Sequence, residues 1–161
     1  MAEKVAELEN IEALLKILNE EGELNNKNLF QMLLARQFKN KELVNKDGDL
    51  FLTVDSLIRI NNYITDSLNI QLRQINIKPA FYDKQYMDFT RIESELYRLV
   101  DQFNERKITA RTFCDIFLDK IHPFADGNGR TCKILFEDKI RHFDEFYKKP
   151  VLSNEIFMQG N

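Results

Sequence analysis

The 161-residue chain has no tryptophan, two cysteines and two histidines. Cys114 and Cys132 form no Cys-x-x-Cys pair. With only His122 and His142 as imidazoles, neither a disulfide framework nor a zinc cluster is suggested. Positive charge is not in excess either. The formal net charge is -3, so no broad cationic surface draws the chain to nucleic acid or to an anionic membrane. No apolar run approaches the roughly 18 to 20 residues that span a bilayer. The amino terminus, "MAEKVAELENIEALLKIL", interleaves charge with hydrophobics, unlike a secretory signal. A cytoplasmic setting is the default expectation. Internal repeats, low-complexity tracts and linkers are also missing, and one domain over 1–161 is expected. What is present is a globular balance, with 43% hydrophobic and 30% charged residues and thirteen phenylalanines.

Val5, Leu8, Ile11, Leu14, Leu15 and Leu18 recur at three-and-four spacing and predict an amphipathic helix over 3–20, with Gly22 as its stop. "KNLFQMLLARQF", 27–38, predicts a second helix, and "NKDGD", 45–49, a turn. A third helix runs from Thr53 to about Leu68 through Leu57, Ile60 and Ile64, with Thr53 or Asp55 near its start as the cap. Over 69–83, Ile70, Leu72, Ile75 and Ile77 alternate imperfectly until Pro79, which predicts a short extended hairpin. Helical spacing returns over 88–106 and, after Thr109 as a candidate cap, over 109–121. Beyond a glycine-rich turn, Cys132, Ile134, Leu135, Phe136, Ile140, Phe143 and Phe146 predict one more helix or a bent pair. The sum is an all-α helical bundle with one small extended element.

The stretch "IHPFADGNGRTCKILF", 121–136, carries the chemistry. Each piece also has a structural reading. Pro123 ends the preceding helix, Phe124 packs into the core, and Asp126-Gly127 and Asn128-Gly129 are turn pairs. Together they do more. Glycines on either side of Asn128 let successive backbone N–H groups face one concavity at the start of a helix, which is an anion hole of phosphate size. Arg130 adds charged donors for phosphate oxygens, and Asp126 can hold a hard divalent cation that bridges them. His122 has an ordinary pKa near 6.5 and can take a proton from an attacking hydroxyl. Cys132 reads as helix packing, since His122 already has a better role than serving a thiol. His142, in "DKIRHFDEFY", reads as a surface or helix-end residue.

At every defining position "HPFADGNGR" resembles the Fic signature, His-x-Phe-x-Asp/Glu-Gly-Asn-Gly-Arg, and "TFCDIFLDKI" before it is similar to the helix that enters that motif. The resemblance is carried by 53–146, most specifically by 109–136, with 1–52 as N-terminal helices. It implies an α-helical Fic fold and Mg²⁺-dependent transfer of AMP from ATP to a Tyr, Ser or Thr hydroxyl of a target protein. By position, it makes His122 the general base, Asp126 the Mg²⁺ ligand, and Gly127, Asn128 and Gly129 the anion hole. Arg130 becomes a phosphate ligand and Phe124 the core anchor of the loop. The 69–83 hairpin corresponds to the family's flap, in which Ile75 and Ile77 would dock target backbone as an added strand. On pattern alone, those two isoleucines fit a core equally well.

Two departures from the family pattern bear on the reaction. Many nucleotide-transferring members carry a second arginine three positions after the first, and here it is Lys133. Lysine keeps the charge but not the planar fork, which leaves open another nucleotide, a diphosphate-linked donor, or a silent nucleotide- or partner-binding domain. Many members also restrain themselves through a helix reading Ser/Thr-x-x-x-Glu-Gly/Asn. This chain has Glu21-Gly22 with Ile17, and Glu9-Asn10 with Val5, where Ser or Thr belongs. Built-in inhibition is therefore not expected, which leaves an unrestrained enzyme or one held by a separate antitoxin-like partner. A homodimer and delivery into a host cell both stay open.

Overall fold

A computed structural model describes residues 2–20, 22, 24–68, 71–77 and 86–137, with the backbone alone over 2–10. Six α-helices follow one another among the described residues: α1 (Ala2–Glu20), α2 (Asn26–Phe38), α3 (Val54–Thr65), α4 (Phe89–Asn104), α5 (Ala110–Asp115) and α6 (Asn128–Phe136). The all-α expectation holds.

Local capping chemistry sets where these helices begin. Asn25 accepts from the Asn28 amide at 2.8 Å to open α2. Thr53 opens α3 through a reciprocal box with Ser56, at 3.0 and 2.9 Å. Asp88 and Thr109 cap α4 and α5 in the same way. The predicted turn at 45–49 forms around Asn45, whose Oδ1 accepts from the amides of Asp47 and Asp49, and Val44 and Leu50 close it with an isolated antiparallel bridge. α3 stops at Thr65, three residues short of the expected Leu68, because Asp66 turns left-handed at φ 54°. In α1 the buried face is Leu14, Ile17 and Leu18, while Leu15 is exposed. The stripe is thus rotated slightly from the one expected.

Two helices continue past their α-helical ends as π-helical turns, Lys39–Leu43 after α2 and Ile116–Ile121 after α5. A spacing of three and four does not anticipate either. The first brings Lys39 into the interior, where Nζ donates to Ile134 O at 2.9 Å and lies 3.4 Å from Glu137. Arg36 holds the same carboxylate with Nε and Nη2 at 2.7 and 3.1 Å. These buried cations tie α2 to the carboxyl end of α6, where free carbonyls attract positive charge.

α6 is the central helix. It packs against α1, α2, α3 and the second π turn, and Arg130 to Phe136 are all buried. Phenylalanines line the path from the bundle to its start. The rings of Phe103, Phe113 and Phe136 meet at 5.3–5.6 Å, Phe113 stacks on Phe117 at 5.7 Å, and Phe117 contacts Phe124 at 6.2 Å. Phe124, fully buried, thereby fastens the loop between α5 and α6 to the core, as expected of an anchor. Such a burial is worth about 1.5–3 kcal/mol.

Of the expected hairpin at 69–83, residues 69–70 and 78–83 lie outside the described residues. The described part, 71–77, forms no strand. Among the described residues, one backbone bond, Tyr86 N–H to Ile77 O at 2.9 Å, joins the two sides. One carbonyl of the segment, Ile75 O, is engaged elsewhere, accepting from the Arg73 guanidinium at 2.6 Å. Ile140, Phe143 and Phe146, expected to extend the last helix, and His142 lie outside the described residues as well.

Candidate active site

The π turn after α5 delivers His122. Pro123 cannot continue a helix, and the chain leaves by a left-handed residue, His122 at φ 47° and ψ 64°, whose N–H donates to Phe117 O at 2.7 Å. The half-buried ring places Nδ1 3.1 Å from Leu118 O. A carbonyl only accepts, so Nδ1 carries the proton and Nε2 keeps its lone pair. Burial lowers the imidazole pKa from its ordinary value and the Arg73 charge lowers it further, against the Leu118 bond, which raises it. The lowered pKa favours the neutral ring, with Nε2 unprotonated. Its face is covered by Tyr86, with centroids 3.9 Å apart and planes 5° from parallel.

The loop beyond is braced by its own amides. Asn128 Oδ1 accepts from Phe124 N–H at 3.0 Å while its Nδ2 donates to Phe124 O at 2.7 Å. Its side chain therefore shapes the turn, and only its backbone N–H is left to meet an anion. Gly127 has φ 83°, and a Cβ there would lie 2.8 Å from Asn61 Nδ2 and 3.1 Å from Thr65 Cγ2. Only glycine fits, on both conformational and steric grounds. Asn61 in turn donates to Asp126 O at 2.8 Å. The first intrahelical bond of α6 is Thr131 N–H to Gly127 O at 2.9 Å, so the amides of Asn128, Gly129 and Arg130 precede it at the positive end of the helix. The Gly127 amide is spent on Asp126 Oδ1 at 2.9 Å. The amides at this helix start that remain to meet an anion are thus those of 128–130, one residue later than the expected 127–129.

Together His122, Ala125, Asp126, Gly127, Asn128, Gly129 and Arg130 line a cavity of about 240 Å³. That is room for phosphate groups rather than for a whole nucleotide, against the roughly 300–1,000 Å³ of sites that enclose a drug-sized ligand. Arg130, buried, lies with Nη2 3.3 Å from Asp126 Oδ2. The Asp126 side chain is 70% exposed. No group of three or more His, Cys, Asp or Glu side chains among the described residues could cage a metal ion. A lone solvent-facing carboxylate suits Mg²⁺, which keeps its waters and takes further oxygens from substrate phosphate.

Lys133 is buried one turn further along α6, with Nζ 3.2 Å from Glu20 Oε2 at the end of α1. Glu21, the glutamate singled out in the sequence, lies outside the described residues. An acidic contact to Lys133 is nonetheless made from α1. The residue one position earlier reaches Lys133, because the buried face of α1 carries Leu14, Ile17 and Leu18 and leaves Glu20 facing α6 at the helix end. Cys132 is fully buried, as a packing residue should be.

The motif residues His122 and Ala125 to Arg130 converge on the cavity, while Lys133, one turn further along α6, is not among its lining residues and meets Glu20 instead. Ile75 is 61% exposed, which removes the core reading for it, and Ile77 is half-buried. Arg73, Tyr86, Glu20 and Asn61 touch the site without having been anticipated. No local spacing marks them, since they arrive from 36 to 113 residues away in sequence. No helix among the described residues is long and apolar enough to cross a membrane.

Similar architecture occurs in two solved structures. A Fic-domain-containing signaling protein from Bacteroides thetaiotaomicron aligns with a TM-score of 0.52 at 19% identity, over 75% of this chain and 52% of its own. A fragment of Fic-1 from C. elegans aligns with a TM-score of 0.50 at 20% identity, over 75% of this chain and 40% of its own. The chain thus spans about half or less of the proteins it resembles in fold. No curated protein matches it in sequence. The family model for Fic/DOC matches residues 51–138, more than half of the chain and every element that builds the cavity, and the protein belongs to the Fic/DOC family.

Proposed function

We propose that the protein transfers AMP from ATP to a Tyr, Ser or Thr hydroxyl of a target protein. The observation that carries this reading is a neutral, oriented imidazole on the wall of a cavity whose other wall is a helix start rich in free amides. The hydroxyl oxygen forms a bond to the α-phosphorus, its proton passes to His122 Nε2, and the bond from that phosphorus to the bridging oxygen breaks. Pyrophosphate leaves with the electron pair. The amides of 128–130 and the Arg130 guanidinium neutralise phosphate charge, and such transfers rest mainly on positioning and electrostatics. Asp126 would hold Mg²⁺, which supplies further charge neutralisation at the phosphates.

Intact-mass measurement after incubation with Mg-ATP, alone and with a cell lysate, tests the reading. An AMP-sized addition lost in His122→Ala supports it. No addition, or one unchanged in that variant, refutes it. A second reading keeps the fold and changes the donor, because Lys133 offers a point charge, already engaged by Glu20, where a fork would grip a distal phosphate. Competition among ATP, GTP, UTP and CDP-choline separates the two. The Glu20–Lys133 contact also favours restraint from within the chain over a separate inhibitory partner.

A further inference from the structure

Arg73 is 4% exposed and spends its donors on backbone carbonyls. Nε donates to His122 O at 2.7 Å, Nη2 to Ile121 O at 3.0 Å and to Met87 O, and Nη1 to Ile75 O at 2.6 Å. Its own backbone N–H donates to Pro123 O at 2.9 Å. Three consecutive carbonyls, those of Ile121, His122 and Pro123, therefore accept from one residue. They are the carbonyls that a left-handed exit from a helix turns away from the helix ladder. The planar fork makes this reach; a lysine, with one nitrogen, could not.

The same segment returns from the other side. Met87 N–H donates to Lys120 O at 2.9 Å, and Tyr86, one residue earlier, lays its ring on the His122 imidazole. His122 is thus fixed at three points: its peptide by Arg73, its Nδ1 by Leu118 O, and its ring face by Tyr86. An imidazole that gains a proton gains charge against the electron-rich face of the tyrosine, a favourable contact.

We propose that Arg73 and Tyr86 are positioning residues that clamp His122 in its working orientation, so that alignment of the base depends on segments 71–77 and 86–87. This rests on the transfer reading above. Arg73 acts through the His122 backbone and Tyr86 through its ring. The charged and titratable groups around the imidazole are Arg73 and Tyr86, Asp119, which acts on Tyr86 from the turn that delivers the histidine, and Asp126 and Arg130 on the cavity wall.

The test uses Arg73→Met, Arg73→Lys, Tyr86→Phe and Tyr86→Leu. Transfer kinetics are read together with ¹⁵N-histidine NMR, which shows only two imidazoles, that of His142 assigned through His142→Gln. Wild type should show His122 as one tautomer protonated at Nδ1. Arg73→Met and Tyr86→Leu should lower kcat on the order of a hundredfold with KM for Mg-ATP unchanged, the scale of a misplaced group near 1 Å. Arg73→Lys should not rescue, and Tyr86→Phe should behave as wild type. The ring signals of His122 should average between tautomers in the two damaging variants.

Folded variants with wild-type kcat and unchanged His122 signals overturn the clamp, as does a kcat loss matched by a rise in KM. Should Arg73→Met fail to fold, Tyr86→Leu decides alone. Should wild type transfer nothing from any donor, the transfer reading fails while the NMR arm still decides the clamp: tautomer averaging in the variants supports it and unchanged signals overturn it.

Discussion

Replacing Glu20 by glutamine should tighten ATP binding, and the size of the gain follows from one contact. Glu20 Oε2 lies 3.2 Å from Lys133 Nζ, with the two side chains 13% and 7% exposed. Its other oxygen, Oε1, is buried without a hydrogen-bond partner. A distal phosphate approaching Lys133 must displace a carboxylate and then lie beside its negative charge. A hydrogen bond between charged groups is worth about 1.5–3 kcal/mol net. At about 1.4 kcal/mol per tenfold, removing the charge should lower the Kd for Mg-ATP by roughly ten- to a hundredfold. Titration calorimetry in a His122→Ala background measures binding without turnover. AMP, which lacks the distal phosphates, serves as the control and should bind both forms alike. An unchanged ATP affinity refutes the reasoning, and so does an equal gain for AMP, which would place the effect away from the distal phosphate.

Three further outcomes are expected. Gly127→Ala costs about 1–2 kcal/mol for a left-handed backbone and about 1–3 kcal/mol more where the new Cβ, 2.8 Å from Asn61 Nδ2, breaks the bond to Asp126 O. At roughly 2–4 °C per kcal/mol for a chain of this size, calorimetry should show Tm falling by about 4–20 °C. Asp119 is raised from 3.8 to about 6, first by burial and then by Asp115. Because its folded pKa lies above the unfolded one, its contribution is fully present below about pH 4 and lost as pH rises through 6. Asp119→Asn should therefore melt higher than wild type at pH 7.5, with the difference closing by pH 4; thermal melts across that window would show it. The rising limb of the transfer rate against pH should fall below 6.5, since His122 is lowered chiefly by burial, and a limb above that value would contradict the neutral imidazole.

Where the physics is local, sequence and structure agree. Thr53 and Thr109 act on amides three residues away, so the starts of α3 and α5 are readable from one stretch of chain. The glycine-rich turn is partly of the same kind: Asn128 braces Phe124 four residues back and Asp126 meets Arg130 four residues on. The His122 ring meets Leu118 one turn earlier, while its further contacts to Arg73 and Tyr86 come from distant segments. The failures are of two sorts. The π turns shift the register after Phe38 and Asp115, and no spacing of three or four foretells an extra residue per turn. The hairpin expected from Ile75 and Ile77 forms no strand among the described residues; a buried arginine takes the Ile75 carbonyl, and period-two spacing does not record what lies beneath a segment. In the sequence, no spacing or motif singles out Arg73 or Glu20 among the charged residues. Only the tertiary fold makes one a clamp and the other a counter-ion.

Lys133 acquires a different meaning once Glu20 is beside it. Read alone, a lysine in place of an arginine weakens the grip on a distal phosphate and raises a question about the donor. In the fold, the same substitution also weakens the grip on the glutamate. A guanidinium fork could hold both carboxylate oxygens, whereas the single nitrogen of lysine holds Oε2 and leaves Oε1 buried without a partner. An orphaned buried oxygen of this kind costs about 1–3 kcal/mol, and that cost is relieved when a phosphate draws Lys133 away and Glu20 swings toward water. On the transfer reading proposed above, the lysine would loosen the restraint and the substrate contact together. A weaker hold on the donor would then be matched by a weaker acidic latch, through the same chemistry.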